Sequence, residues 1–66
     1  MIETIGLAAG DLYEILKREG EMPLKKLHDK SQLPMKLFYM ALGWLSREDK
    51  IEYRHRKNRL EVTIKK

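Results

Sequence analysis

The segment "RHRKNR", residues 54–59, sets Arg54, Arg56, Lys57 and Arg59 close together, with His55 and Asn58 between them. Guanidinium and ammonium groups at this density suit phosphate, whose charge they balance and whose oxygens accept their hydrogen bonds. Lys36 and Arg47 add two cations further upstream, and Lys25, Lys26 and Lys30 form a third basic group. Nothing comparable points to catalysis. His28 and His55 stand in separate segments without metal-ligand spacing, and cysteine is absent. No activated nucleophile motif or glycine-rich phosphate loop is present. The pairs Glu14/Arg18 and Glu48/Glu52 are spaced only for surface effects on a helix or turn. The expectation is a protein that is not an enzyme, with no cofactor, no metal and no evident small-molecule substrate. His28 is expected to be an exposed helix residue, and His55 a residue of the basic hairpin.

Charge is distributed unevenly. Residues 1–33 carry five Lys/Arg against six Asp/Glu, a net of −1, whereas residues 34–66 carry nine against four, a net of +5. The second half thus holds all of the excess, which favours a polyanionic partner. At 66 residues, 42% hydrophobic and 36% charged, the chain reads as one small globular domain over 1–66. Without disulfides its stability must come from packing or from a second subunit. No run is apolar enough to cross a bilayer and no leader is evident, so a cytoplasmic protein is expected.

The elements that must position these residues follow from periodicity. Ile2, Ile5, Ala9, Leu12 and Leu16 step by three and four, which predicts an amphipathic helix widened by Ala8 and Ile15 and stopped at Gly20. Gly6 and Gly10 lower its helicity and would let a neighbouring element come close. "EMP", 21–23, suits a short extended piece that proline confines to a sheet edge. Leu24 and Leu27 share a face of a short helix in "LKKLHDKS", which "SQLP" breaks. Pro34 suits the first turn of a further helix running to about Glu48. From residue 51 the period changes to two. Ile51, Tyr53 and His55 alternate with Glu52, Arg54 and Arg56, and Leu60, Val62 and Ile64 with Glu61 and Thr63. The two strands form a hairpin whose tight turn Asn58 can serve in the left-handed conformation.

On the 34–48 helix, Leu37, Phe38, Ala41 and Leu45 form the inward stripe, with Leu42 and Trp44 at its margins. Lys36, Tyr39, Met40, Gly43 and Arg47 face outward. Trp44 either packs beneath the first helix near Ala9 or Gly10, or joins Tyr39 and Met40 at a partner surface. Leu7 points away from the first helix's stripe in the same manner.

Helix, short strand, two helices and a hairpin make a helix-turn-helix unit followed by a wing. The fold class is mainly α with a small antiparallel β-wing: a winged helix-turn-helix of three helices, a hairpin and a short edge strand. The residues "IGLAAGDLYEILK…LKKL…LP…ALGWLSREDKI", and most specifically "ALGWL.RE.KI" at 41–51, resemble a family of short prokaryotic winged-helix proteins of the DUF2582 type. The resemblance covers nearly the whole chain. It implies a winged-helix fold and a DNA-binding, transcription-related role, with the second helix of the unit offered to the major groove. Asp49 stands where such domains often have glycine before the wing, and Pro34 where Ser or Thr often caps.

The resulting expectation is a module that binds double-stranded DNA mainly through a basic wing. Lys36, Tyr39, Arg47, Arg54, Arg56, Lys57, Asn58 and Arg59 are its candidate nucleic-acid contacts. With neither Asn nor Gln on the outward helix face, base reading should be modest and binding strongly salt-dependent. The alternative is a protein-interaction module, a homodimer in the first instance, using Leu7, Tyr39, Met40, Gly43 and Trp44. Charge pattern alone does not separate DNA from RNA.

Overall fold

The computed structural model of the protein describes residues 2–65. Helix α1 spans Ile2–Glu19, strand β1 Met22–Pro23, α2 Leu24–Ser31, α3 Met35–Arg47, β2 Ile51–Arg56 and β3 Arg59–Ile64. The order is the one that periodicity and chain breakers predict.

Along α1, Ala8, Ala9, Leu12, Ile15 and Leu16 are buried. The side chain of Ile2, first in the predicted stripe, lies outside the described residues. The helix stops where Gly20 takes φ 86° and its amide donates to the Leu16 carbonyl at 2.8 Å. Strand β1 is an edge strand of the sheet β1-β3-β2, the one kind of place where Pro23 costs the ladder no donor.

Helix α2 contributes Leu27, fully buried, and ends on Gln32 in the left-handed region at φ 57°. The turn into α3 is held from the side. Ser31 Oγ donates to the His28 carbonyl at 2.8 Å and accepts the Leu33 amide at 3.2 Å. His28 corrects the expectation of an exposed residue: it is half-buried, its Nε2 is 2.9 Å from the Leu33 carbonyl, and its ring lies 4.7 Å from that of Phe38. Donation from Nε2 to that carbonyl ties α2 to the turn, so the imidazole is a structural fastener.

Pro34 is the cap residue just before α3, one position earlier than a first-turn proline, and its carbonyl accepts the first helical bond from Phe38 at 2.9 Å. Phe38, Ala41, Leu42 and Leu45 are buried, while Leu37 is half-buried. Leu42 and Leu37 therefore exchange the places predicted for them. Helix α3 packs against α1, α2 and β2, and the buried stripe is set by where these neighbours lie. Each fully buried side chain of this size contributes about 1.5–3 kcal/mol.

In the hairpin, Ile51 faces Ile64, Tyr53 faces Val62 and His55 faces Leu60, so these residues share the face that carries buried Val62. Arg56 and Arg59 close a two-residue turn. Its left-handed residue is Lys57, φ 56°, and not Asn58, as in a two-residue turn that takes positive φ only at its first central position. Asp49 takes the glycine-like conformation expected of its position, φ 60°, while Lys65 Nζ approaches its Oδ1 at 2.7 Å. A lysine at positive φ suffers a steric cost that glycine does not. Lys57→Gly is expected to raise urea-unfolding stability by about 0.5–1 kcal/mol, with no comparable gain from Asn58→Gly.

Candidate nucleic-acid interface

The outward face of α3 is wider than one patch. At about 100° per residue, Lys36 and Arg47 fall within about 20° of each other at its centre. Tyr39 lies on one side of that line, and Met40 and Trp44 on the other. Tyr39 is 54% exposed, Met40 42% and Trp44 36%. Tyr39 belongs to a cleft of about 290 Å³ shared with Leu24, Lys25, His28, Met35 and Phe38, and its ring stands edge-on to Phe38 at 5.4 Å. Met40 and Trp44 line no part of that cleft. The predicted apolar surface thus has Tyr39 turned toward the cleft and Met40 and Trp44 outside it, with Lys36 and Arg47 toward its two ends. Trp44 is not among the residues of the buried cluster, and an added Cβ at Gly10 would meet nothing within 4 Å; Gly6 and Gly43 are equally open. Leu7, 75% exposed on α1, stands apart from the buried cluster.

The wing carries its arginines on the other face of the sheet from Val62. The register sets Arg54 opposite Glu61 and Arg56 opposite Arg59, the last a like-charge pair that is unfavourable unless balanced. Carboxylates supply the balance. Glu61, only 8% exposed, lies 3.6 Å from Arg56 Nε and 3.3 Å from Arg59 Nη2. Its burial follows from its place on the central strand between β1 and β2. Glu21, in the bend before β1, accepts from Arg56 Nε at 2.7 Å and lies 3.6 Å from Arg54 Nη1. Glu52 accepts from Arg54 Nη2 at 3.2 Å. A side-chain hydrogen bond with Glu61, and then the Arg56 guanidinium, hold the Glu21 carboxyl below its ordinary value.

The candidate contacts of the hairpin therefore divide into two groups. Arg54, Arg56 and Arg59 are engaged with carboxylates, whereas Lys57 and Asn58 stand exposed at the tip with no ion pair among the described residues. The arginine side chains are half or more exposed, so these are surface pairs, each worth about 0–1 kcal/mol and open to exchange. Lys25, Lys26, Lys36 and Arg47 likewise form no ion pair among the described residues, while Lys30 is held by Glu19 at 2.9 Å. Lys25 and Lys26 occupy the first turn of α2, which has no side-chain cap and no acidic residue. That turn and β3 together wall a second cleft of about 490 Å³, floored by Pro23, Leu24 and Leu60 with Arg59 at its edge. Ser46 Oγ and the Tyr53 hydroxyl, 2.9 Å apart, join α3 to the wing.

Sequence reasoning missed Glu21 and Glu61. Alternation marks Glu61 merely as a polar position, and its signal appears only once the register pairs it with Arg54. Among the described residues no His/Cys/Asp/Glu group could hold a metal ion, and no helix is long and apolar enough to cross a membrane.

Comparison with known proteins agrees with this architecture. The family described as "Winged helix-turn-helix domain (DUF2582)" matches residues 1–64. No curated protein sequence matches the chain. Among solved structures, the chain is similar to protein BT2368 from Bacteroides thetaiotaomicron, solved by solution NMR, with a TM-score of 0.82 and 24% identity over 94% of this chain and 76% of that one. It is also similar to the crystal structure of transcriptional regulator PA4135, with a TM-score of 0.79 and 18% identity over 88% of this chain but 45% of that one. At these identities the likeness speaks for the fold. With the family match spanning nearly its full length, the chain belongs to the DUF2582 family of winged helix-turn-helix domains.

Proposed function

We propose that this winged helix binds duplex DNA as a transcription-related module, through the exposed face of α3 and the tip of the wing. The observation that carries the reading is that five cations on α2, α3 and the wing have no ion pair among the described residues: Lys25 and Lys26 on α2, Lys36 and Arg47 on α3, and Lys57 on the wing. Such groups remain available to phosphates at no electrostatic cost to the fold. Arg54, Arg56 and Arg59 join them when phosphate replaces carboxylate, and Asn58 and Tyr39 supply neutral donors beside them. About five phosphate contacts give a slope of log K against log salt of about −4 to −5. Between Lys36 and Arg47 the helix offers Tyr39, Met40 and Gly43, none of which matches base edges as Arg, Asn or Gln would. Affinity therefore depends on salt far more than on sequence.

A fluorescence-anisotropy titration of mixed-sequence duplex at low salt tests this. Saturable binding in the micromolar range with that slope supports the reading; absence of binding at tens of micromolar protein sinks it. Competition with duplex RNA reports whether groove geometry matters.

A second reading, interaction with protein, has its own observation in the exposed Leu7, Tyr39, Met40 and Trp44. In that case Gly43 allows a partner helix close to α3, and a homodimer is the simplest occupant. Sedimentation of the wild type against Tyr39→Glu plus Met40→Glu decides it: a dimer converted to monomer by these changes favours this reading, and a wild-type monomer argues against the homodimer.

A further inference from the structure

The arginines on the wing are already occupied, and the groups that occupy them have the geometry of a phosphate substitute. Glu21 and Glu61 present carboxylate oxygens to Arg54, Arg56 and Arg59, at 2.7 Å from Arg56 Nε in the shortest contact. Glu21 is not a wing residue. It lies in the bend between α1 and β1, 35 positions from Arg56, so its contacts fasten the wing to the body of the domain. Glu61 has an evident structural duty, since it separates the directly opposed Arg56 and Arg59. Glu21 shares in balancing Arg56 but stands outside the Arg56–Arg59 pairing, in the bend before β1. Its side chain is 22% exposed, against 54% for Arg56, so the pair is reachable from solvent.

We infer that Glu21 is an intramolecular competitor for nucleic-acid phosphate, holding Arg54 and Arg56 back until a dense polyanion displaces it. The inference rests on the DNA-binding reading above. Encounter is then left to the unpaired lysines and Arg47, and the wing arginines engage in a second step by exchanging one anion for another. Guanidinium binds carboxylate and phosphate with the same fork of donors, so the exchange needs rotation of side chains but no refolding of the hairpin. The exchange lowers apparent affinity, because the arginines must first release a bonded partner.

Glu21→Gln tests this, with Glu14→Gln as control: Glu14 is an exposed α1 residue with no ion pair among the described residues, and its loss changes net charge equally. The expected result is duplex binding about three- to tenfold tighter for Glu21→Gln at low salt, with a salt slope steeper by about one, and less than a twofold change for Glu14→Gln. Unchanged or weaker binding by Glu21→Gln overturns the inference while leaving the DNA reading intact, as does an equal gain from Glu14→Gln. If neither the wild type nor the variants bind, the DNA reading fails and the competitor role with it. The pairing itself is read separately, by NMR of the Arg56 Nε–Hε group without DNA. That signal should move in Glu21→Gln and stay in place in Glu14→Gln; a signal that ignores Glu21→Gln overturns the inference whatever the DNA result.

Discussion

Replacing Phe38 by alanine is expected to leave no folded protein at room temperature. The ring is 1% exposed within the buried cluster, with the His28 imidazole at 4.7 Å and the Tyr39 ring at 5.4 Å. Removing a buried phenyl group costs about 3–5 kcal/mol, through lost transfer energy and the cavity left behind. A single core in a domain below about 70–80 residues rarely supplies more than about 3–5 kcal/mol in total. The two figures are of equal size, so this one side chain decides whether the chain folds. Its loss also unseats His28, whose bond to the Leu33 carbonyl sets the turn between α2 and α3. Far-UV circular dichroism with urea titration measures the outcome: Phe38→Ala should show no cooperative transition. Met40→Ala on the exposed side of the same helix should stay within about 0.5 kcal/mol of wild type. A cooperative transition in Phe38→Ala, shifted by less than about 1 kcal/mol, would contradict the placement of the ring at the centre of the core.

How far the sequence predicts this architecture depends on the range of the interaction concerned. The helix end at Gly20 and the edge strand at Pro23 are local consequences of backbone geometry and appear where expected, while α3 begins one residue after the Pro34 expected in its first turn. The alternating hairpin is legible for the same reason. Leu42 and Leu37 exchange roles because periodicity gives a helix face but not the directions from which neighbours cover it. Lys57 replaces Asn58 as the left-handed residue because the two-residue turn takes positive φ only at its first position, and a turn-former such as Asn58 does not by itself say which position that is. His28 reads as a surface residue until Leu33 and Phe38 are seen beside it. The largest difference concerns the wing. A run of arginines suggests free positive charge, but Glu21 reaches it across 35 positions and Glu61 only through strand pairing. Composition records the charges; pairing determines which of them remain available.

That distinction directs the second large effect to α3 instead of the wing. Lys36 and Arg47 stand eleven positions apart, on nearly the same side of the helix and about 16 Å along its axis. The major groove is about 12 Å wide, so long flexible side chains at those two points can reach phosphates on both of its lips. Neither residue forms an ion pair among the described residues, and neither is buried. Each phosphate contact released at about 0.1 M salt is worth a factor of about eight, from a slope of about 0.9 per contact. Lys36→Gln plus Arg47→Gln is therefore expected to weaken duplex binding about 50-fold and to reduce the salt slope by about two. The fold should tolerate the change. Lys36 sits in the first turn of α3, where a cation opposes the helix dipole, and the loss of Arg47 from the last turn costs about 0.3–1 kcal/mol. Because the contacts are to backbone, the loss should be similar for duplexes of unrelated sequence. Anisotropy titrations at three salt concentrations on two such duplexes measure both quantities. A loss confined to one sequence would make Lys36 or Arg47 a base reader. No loss at all would remove α3 from the interface, leaving its exposed Tyr39 and Met40 to a protein partner.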